Sequence, residues 1–171
     1  MVIKEKLGNL ATFRDEGRAI DRLPLEWYET RKRILHKRTG SGKEITLKFL
    51  AEAQYLQQDD VLYADEKCIV VVEVLATDAI VLRPASLYQV AYAAYEIGNK
   101  HLPLFFEEDC LLLPFEAPVY RQLQAAGFEP LTQKRKLLHP LRTTVLPHTH
   151  PGENRESFFS KILKLTAPSN D

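Results

Sequence analysis

A chain of 171 residues is 45% hydrophobic and 27% charged, within the range of a soluble globular protein of one domain or two small ones. Its 23 basic and 23 acidic side chains cancel, which removes a whole-molecule attraction to nucleic acid or membrane surface and leaves only local patches to consider. No apolar run approaches the roughly 20 residues that span a bilayer. The start, Met1-Val2-Ile3-Lys4-Glu5-Lys6, runs straight into charge without a secretory apolar stretch, so a cytoplasmic protein is expected.

Residues 1–75 read as β. Arg33–Arg38 and Glu44–Phe49 flank the glycine-containing link Thr39-Gly40-Ser41-Gly42-Lys43, which predicts a hairpin. Ile45, Leu47 and Phe49 alternate with Glu44, Thr46 and Lys48, the period of a half-buried strand. Asp59-Asp60 and Asp65-Glu66-Lys67 read as turns before Val61-Leu62-Tyr63 and the apolar run Cys68–Leu75, the latter apolar enough for a central strand. Pro24, in Leu23–Trp27, points to an edge or loop entry.

Ala79–Leu82 reads as a short strand stopped by Arg83-Pro84. Ser86 and Gln89 have the spacing of a capping box. Leu87, Val90, Ala91, Ala94 and Ile97 then share one helical face, and Gly98 suits the left-handed position past the helix end. Leu102–Phe106 and Cys110–Leu113 are predicted strands around a turn at Glu107-Glu108-Asp109. Pro118 opens a helix through Val119, Leu123 and Ala126 that stops at Gly127. A last strand is expected from Phe128 to about Arg135. The fold class is α+β: a β-rich N-terminal domain (1–75), a ferredoxin-like βαββαβ domain (76–147) and a flexible tail (148–171). Within the tail, Ser157–Leu165 has the pattern of a short amphipathic helix, below the length that holds alone in water.

Several local signals have plain accounts. The Gly40–Lys43 link lacks the leading glycine and the closing Ser or Thr of a phosphate loop, and no helix follows it. Arg31, Lys32, Arg33, Lys37, Arg38 and Lys43 cluster as a solvated hairpin face or a docking surface for an acidic partner. Aromatic residues are not interleaved with them in the sequence, which lowers an RNA reading. Cys68 and Cys110 read as buried small hydrophobes. No nucleophile with a local base is present, and a zinc hydrolase would need a general base that the chain does not nominate.

The histidines remain. His101 follows the first helix, and His148-x-His150 lies in the tail. Each by itself is ordinarily a loop histidine. Together they form a candidate all-nitrogen site suited to Ni²⁺, Cu²⁺ or Zn²⁺, and a two-fold dimer would bring a second copy of His101 to the same axis. Imidazole ligates as the neutral base, with an ordinary pKa of about 6.5, so affinity is expected to fall in mild acid.

Glu96-Ile97-Gly98-Asn99-Lys100-His101 resembles the G-N-[RK]-H segment of the UreE urease accessory proteins, nickel metallochaperones of urease maturation. Lys32–Thr39, Asp59-Asp60-Val61-Leu62 and Val81-Leu82-Arg83-Pro84 resemble further segments of that family, and the similarity covers roughly residues 15–145. The resemblance implies a β-rich domain that binds a protein partner and a ferredoxin-like domain that binds nickel and dimerises. It implies a non-enzymatic carrier that delivers Ni²⁺ to apo-urease, with the urease accessory GTPase and the apo-urease complex as partners, and no nucleic acid or membrane. It implies a homodimer, with a dimer of dimers around the metal left open. His101 would ligate from both subunits, with His148 and His150 as the candidates for added ligands. The tail has two histidines where many members carry a long His-rich run, and Phe115-Glu116-Ala117-Pro118 has no imidazole where some members have one. One principal ion per dimer is therefore expected. The competing reading is a non-metal adaptor acting through Arg33, Lys37 and Arg38.

Overall fold

A computed structural model describes residues 1–50 and 55–141. The hairpin forms where the alternation places it. Strands β4 (Ile34–Arg38) and β5 (Glu44–Lys48) pair antiparallel, and β1 (Val2–Ile3) adds to β5 in parallel. Ile45, Leu47 and Phe49 are buried while Glu44 and Lys48 face solvent. A second sheet holds β2 (Gly8–Asn9), β6 (Asp60–Ala64), β7 (Cys68–Val74) and β3 (Ala19–Leu25), in the order β2-β6-β7-β3. The run from Cys68 is thus an interior strand, as its apolarity predicts, and Pro24 does lie on an edge strand, β3. The parallel pairing of β3 with β7 was not legible in the sequence. The two sheets close over Leu23, Leu25, Leu47, Phe49, Val70 and Val72.

Two buried aspartates anchor the loops of this region. The first corrects the sequence reading. Asp60 is the opening residue of β6, not a turn residue, and is 1% exposed. Its carboxylate accepts from the Gln57 backbone N–H at 2.8 Å, Lys6 Nζ at 3.1 Å and Asn9 Nδ2 at 3.1 Å. Removing the acceptor strands several donors at once. Asp60→Ala is expected to lower the unfolding free energy by about 2–4 kcal/mol. A urea unfolding curve reads this directly, and an unchanged midpoint counts against the network.

Asp21 performs the second anchoring, between β3 and the hairpin tip. It accepts from the Ser41 backbone N–H at 3.0 Å and from the Ser41 hydroxyl, while Gly40 N–H bonds Arg22 O at 2.7 Å. The link is a hairpin turn, with Gly42 at φ +87°. Burial pushes the Asp21 carboxyl up, but hydrogen bonds from Ser41, Thr39 and the Ser41 backbone outweigh it and hold the pKa below the ordinary value. A depressed folded pKa gives stability that is present above the unfolded pKa and is lost as pH falls through the folded one, because the unfolded chain binds the proton first. Asp21→Asn is expected to flatten the acid limb of the stability–pH curve. A limb identical to wild type in denaturant melts below pH 4 would remove Asp21 from this role.

Only Leu75 separates β7 from β8 (Ala76–Leu82), which starts three residues earlier than the apolar run indicates. Helix α1 (Leu87–Asn99) follows, then β9 (Phe105–Glu107), β10 (Cys110–Pro114), α2 (Ala117–Ala125) and β11 (Leu131–Lys136). These strands form an antiparallel sheet in the order β11-β8-β10-β9. Ile80, Leu82, Leu111 and Leu113 line one sheet face and pack with Ala93, Ile97, Val119 and Leu123 of the helices. Ala79, Val81 and Leu112 line the other face with Phe105, Cys110 and Leu137. Trp27 packs against both this cluster and the N-terminal core, with its ring edge-on to Phe105 at 5.6 Å.

Two strands are shorter than expected for the same reason. β9 begins at Phe105 rather than Leu102, and β11 at Leu131 rather than Phe128. In both places the preceding residues are used to close a helix.

Candidate metal centre

The candidate residue His101 follows α1, a helix closed by local hydrogen bonds at both ends. At the start, Ser86 Oγ accepts from the Gln89 N–H at 3.2 Å, as the capping box predicts. The return bond differs: Gln89 Oε1 accepts from the Ala85 N–H at 2.7 Å, one residue before the cap.

The far end overturns the expectation about Gly98. That glycine lies inside the helix, and the residue in the left-handed position is His101, at φ +54°. Lys100 is the C-cap. His101 N–H bonds Gly98 O at 2.9 Å, and Leu102 N–H bonds Ile97 O at 3.3 Å. These paired bonds make a Schellman motif with His101 at C′, and Leu102 packs in the cluster that holds Ile97, as the motif favours. Helix α2 ends the same way. Gly127 N–H bonds Gln124 O at 3.0 Å, Phe128 N–H bonds Leu123 O at 3.0 Å, and Gly127 is at φ +84°. One motif therefore occurs twice, once with the residue that accepts a left-handed backbone freely and once with a histidine that does not.

The Schellman turn fixes the His101 backbone, while its side chain is exposed and makes no hydrogen bond or ion pair among the described residues. Beside it, Lys100 Nζ lies 3.7 Å from Glu96 Oε2, which also accepts from Gln122 Nε2 at 3.5 Å. Lys100 is thus engaged with Glu96 on a link between α1 and α2, which makes it unsuited to ligation.

Among the described residues no group of three or more His, Cys, Asp or Glu side chains could hold a metal. Among the described residues His101 is the one site candidate that a single chain brings. His148 and His150 lie outside the described residues, as do the 148–171 tail and its Ser157–Leu165 pattern. The approach to them is described: Phe106 N–H bonds His139 O at 2.9 Å and Leu141 N–H bonds Leu104 O at 2.8 Å. Residues 139–141 therefore run antiparallel along the outer edge of β9, and Leu141 is paired three residues from His101.

The apolar face of α1 also departs from the periodicity. Ala93 and Ile97 are the buried residues, so of the predicted stripe only Ile97, with Ala94 half-buried beside it, faces the core. Leu87 is 83% exposed and Tyr95 68% exposed; Val90 and Ala91 are exposed as well. The helix is apolar nearly all round, so spacing could not choose which side faces the sheet. The tyrosines at 88, 92 and 95 carried the signal that was missed: they broaden the apolar surface beyond what one sheet can cover. The cysteines correct another expectation. Cys110 is buried and accepts from Arg83 Nε at 3.3 Å, but Cys68 is only half-buried, with Lys43 Nζ at 3.7 Å.

Comparison with known proteins adds a further finding. The model of the UreE urease accessory protein, N-terminal domain, matches residues 3–75. The urease accessory protein UreE of Flavobacterium johnsoniae is 42% identical over 165 residues, which cover 96% of this chain and 99% of that protein. The same-named protein of Haemophilus influenzae strain PittEE is 42% identical over 145 residues, 82% of this chain and 78% of its own. That of Helicobacter pylori is 35% identical over 156 residues, covering 89% and 92%.

Proposed function

Because the chain belongs to the UreE urease accessory protein family, we propose that it is a nickel metallochaperone, an accessory protein and not an enzyme, that carries Ni²⁺ to apo-urease. The observation that carries this reading is His101. Among the described residues its imidazole has no partner, and it stands on a left-handed residue at the end of a helix whose outer side leaves Leu87, Ala91 and Tyr95 exposed. A lone imidazole is a poor metal site. Two of them, related by a two-fold axis along α1, make the start of a good one.

In this reading Leu87, Ala91 and Tyr95 meet their copies in a homodimer, and the two His101 side chains share one ion. His148 and His150 complete its coordination. The chain length permits this: Leu104 to His101 spans at most about 11 Å and Leu141 to His148 at most about 25 Å. Zn²⁺ and Cu²⁺ suit the same ligands, so nickel preference comes from supply and partner. The accessory GTPase and apo-urease are the proposed partners, and the cytoplasm the proposed compartment. Among the described residues no helix is long and apolar enough to cross a membrane.

The domain reading belongs to the same proposal. Residues 1–75 form the partner-binding domain, 76–147 the metal-binding and dimerisation domain, and 148–171 the tail. The order β11-β8-β10-β9, with both helices packed on one sheet face, supports a ferredoxin-like arrangement for the second.

Metal analysis combined with subunit mass, with and without Ni²⁺, tests the proposal. One tightly held ion per two chains is expected. A protein that stays monomeric and binds no ion more tightly than a His101-free control would overturn it.

A further inference from the structure

The basic cluster of the N-terminal region divides in two when its partners are named. Lys37 Nζ sits 2.7 Å from the buried Glu29 carboxylate, and Arg38 pairs with Glu44 at 2.6 Å. Lys43 lies near Asp21 and lowers its pKa. These cations are already matched. Arg31, Lys32 and Arg33 are exposed, and none of the three forms an ion pair among the described residues.

What surrounds them is aromatic and apolar. The Arg31 guanidinium lies 5.6 Å from the Tyr55 ring centre, and Lys32 Nζ lies 5.6 Å from that of Tyr28. Tyr28 and Tyr55 are exposed, as are Ile34 and Leu50. Backbone bonds gather them at one corner: Phe49 N–H to Arg33 O at 2.8 Å brings Leu50 beside Arg33, and Leu56 N–H to Thr30 O at 3.0 Å brings Tyr55 beside the 3₁₀ turn Glu29–Arg31. The sequence reading that aromatics are not interleaved with the cluster is therefore corrected, because Tyr55 arrives from a distant loop.

We propose that Arg31, Lys32 and Arg33, framed by Tyr28, Tyr55, Ile34 and Leu50, form the docking surface for an acidic segment of a partner protein that also carries an apolar anchor. Charge complementarity selects the occupant. In a chain of zero net charge, a triplet without an ion pair among the described residues is a local feature with no general field behind it. Two of the three cations are arginines, whose planar forks take carboxylates in pairs. Arginine and tyrosine flanked by aliphatic side chains is the composition of a protein interface. A nucleic acid fits less well. Three cations fall short of the roughly six to ten phosphate contacts of strong binders, and Arg31 and Lys32 already lie over the rings a base would stack on.

The adaptor reading relied on Arg33, Lys37 and Arg38, and the surface inferred here replaces the last two. It goes beyond the metal reading and does not depend on it, so the two can fail separately.

The test measures binding of the full-length protein to a fluorescent peptide rich in Asp and Glu with a single Phe, at physiological salt. A single-stranded RNA of similar length is measured alongside. The variants are Arg31→Glu/Lys32→Glu/Arg33→Glu and, to guard against a folding defect, the triple Gln replacement. Arg38→Glu/Lys43→Glu is the control for general charge. The proposal expects either triplet variant to weaken peptide binding about tenfold or more, with the control within about twofold and chelator without effect. Equal loss in the control, no loss in the Gln triplet, or tighter binding of the RNA overturns it.

Discussion

Replacing His101 by glycine is expected to abolish tight binding of the first Ni²⁺ while leaving the fold at least as stable. The reasoning comes from the two helix ends. A left-handed backbone costs a residue with a Cβ about 1–2 kcal/mol, and glycine largely escapes that cost. Gly127 occupies the position freely at the end of α2, whereas His101 occupies it at a cost at the end of α1. The His101 side chain makes no compensating hydrogen bond or ion pair among the described residues. His101→Gly should therefore raise the unfolding free energy by up to about 1 kcal/mol, a thermal midpoint higher by a few degrees. Nickel affinity should fall about a hundredfold or more, since the proposed dimer site would lose two imidazoles. Alanine is the poorer probe, because it removes the ligand but keeps the strain. Calorimetric titration beside a thermal melt reads both quantities. Tight binding retained in the glycine variant would mean the central ligand lies elsewhere. A clear drop in midpoint would mean the histidine is needed for packing.

Ala91→Arg should have an effect on metal binding as large as the loss of His101, without touching a ligand. Ala91 is exposed on the outer face of α1, with Leu87 and Tyr95 one turn to either side. A guanidinium there should leave the single subunit folded, because among the described residues Ala91 is exposed and the core contacts of α1 come from Ala93 and Ile97. Across a two-fold axis two guanidinium groups would face each other in an apolar contact, a burial that costs several kcal/mol unless paired. The expected result is a folded monomer in sedimentation, with the first-ion affinity reduced about as far as in His101→Gly. A monomer that keeps the affinity would show that one chain completes the site alone. A dimer that persists would move the interface to another surface.

Local rules were enough where local forces dominate. The hairpin, the Ser86 cap, the Pro118 entry and the Gly127 stop rest on backbone preferences within a few residues, and each occurs as its spacing predicts. The β-then-mixed order of elements also followed from period alone. Three features escaped for distinct reasons. The parallel partner of Ala19–Leu25 is some fifty residues away, beyond any local signal. The turn assignment of Asp60 failed because its burial depends on Lys6, Asn9 and Gln57 converging on one carboxylate. The core side of α1 was ambiguous because alanine and tyrosine supply apolar surface in every direction.

The sequence by itself determined the α+β class, the strand and helix order from Ala76 to Lys136 and the family, and with them the candidacy of His101. Only the tertiary structure decided which residue bears the left-handed turn. A glycine at 98 satisfies the local rule equally well, but Ile97 and Leu102 must both reach the core, and that contact carries the helix on to Asn99 and leaves the turn to a histidine. It also decided, among the described residues, which cations lack an ion pair and which helix face is exposed. Both depend on segments distant in sequence meeting in space, and no local pattern records such a meeting.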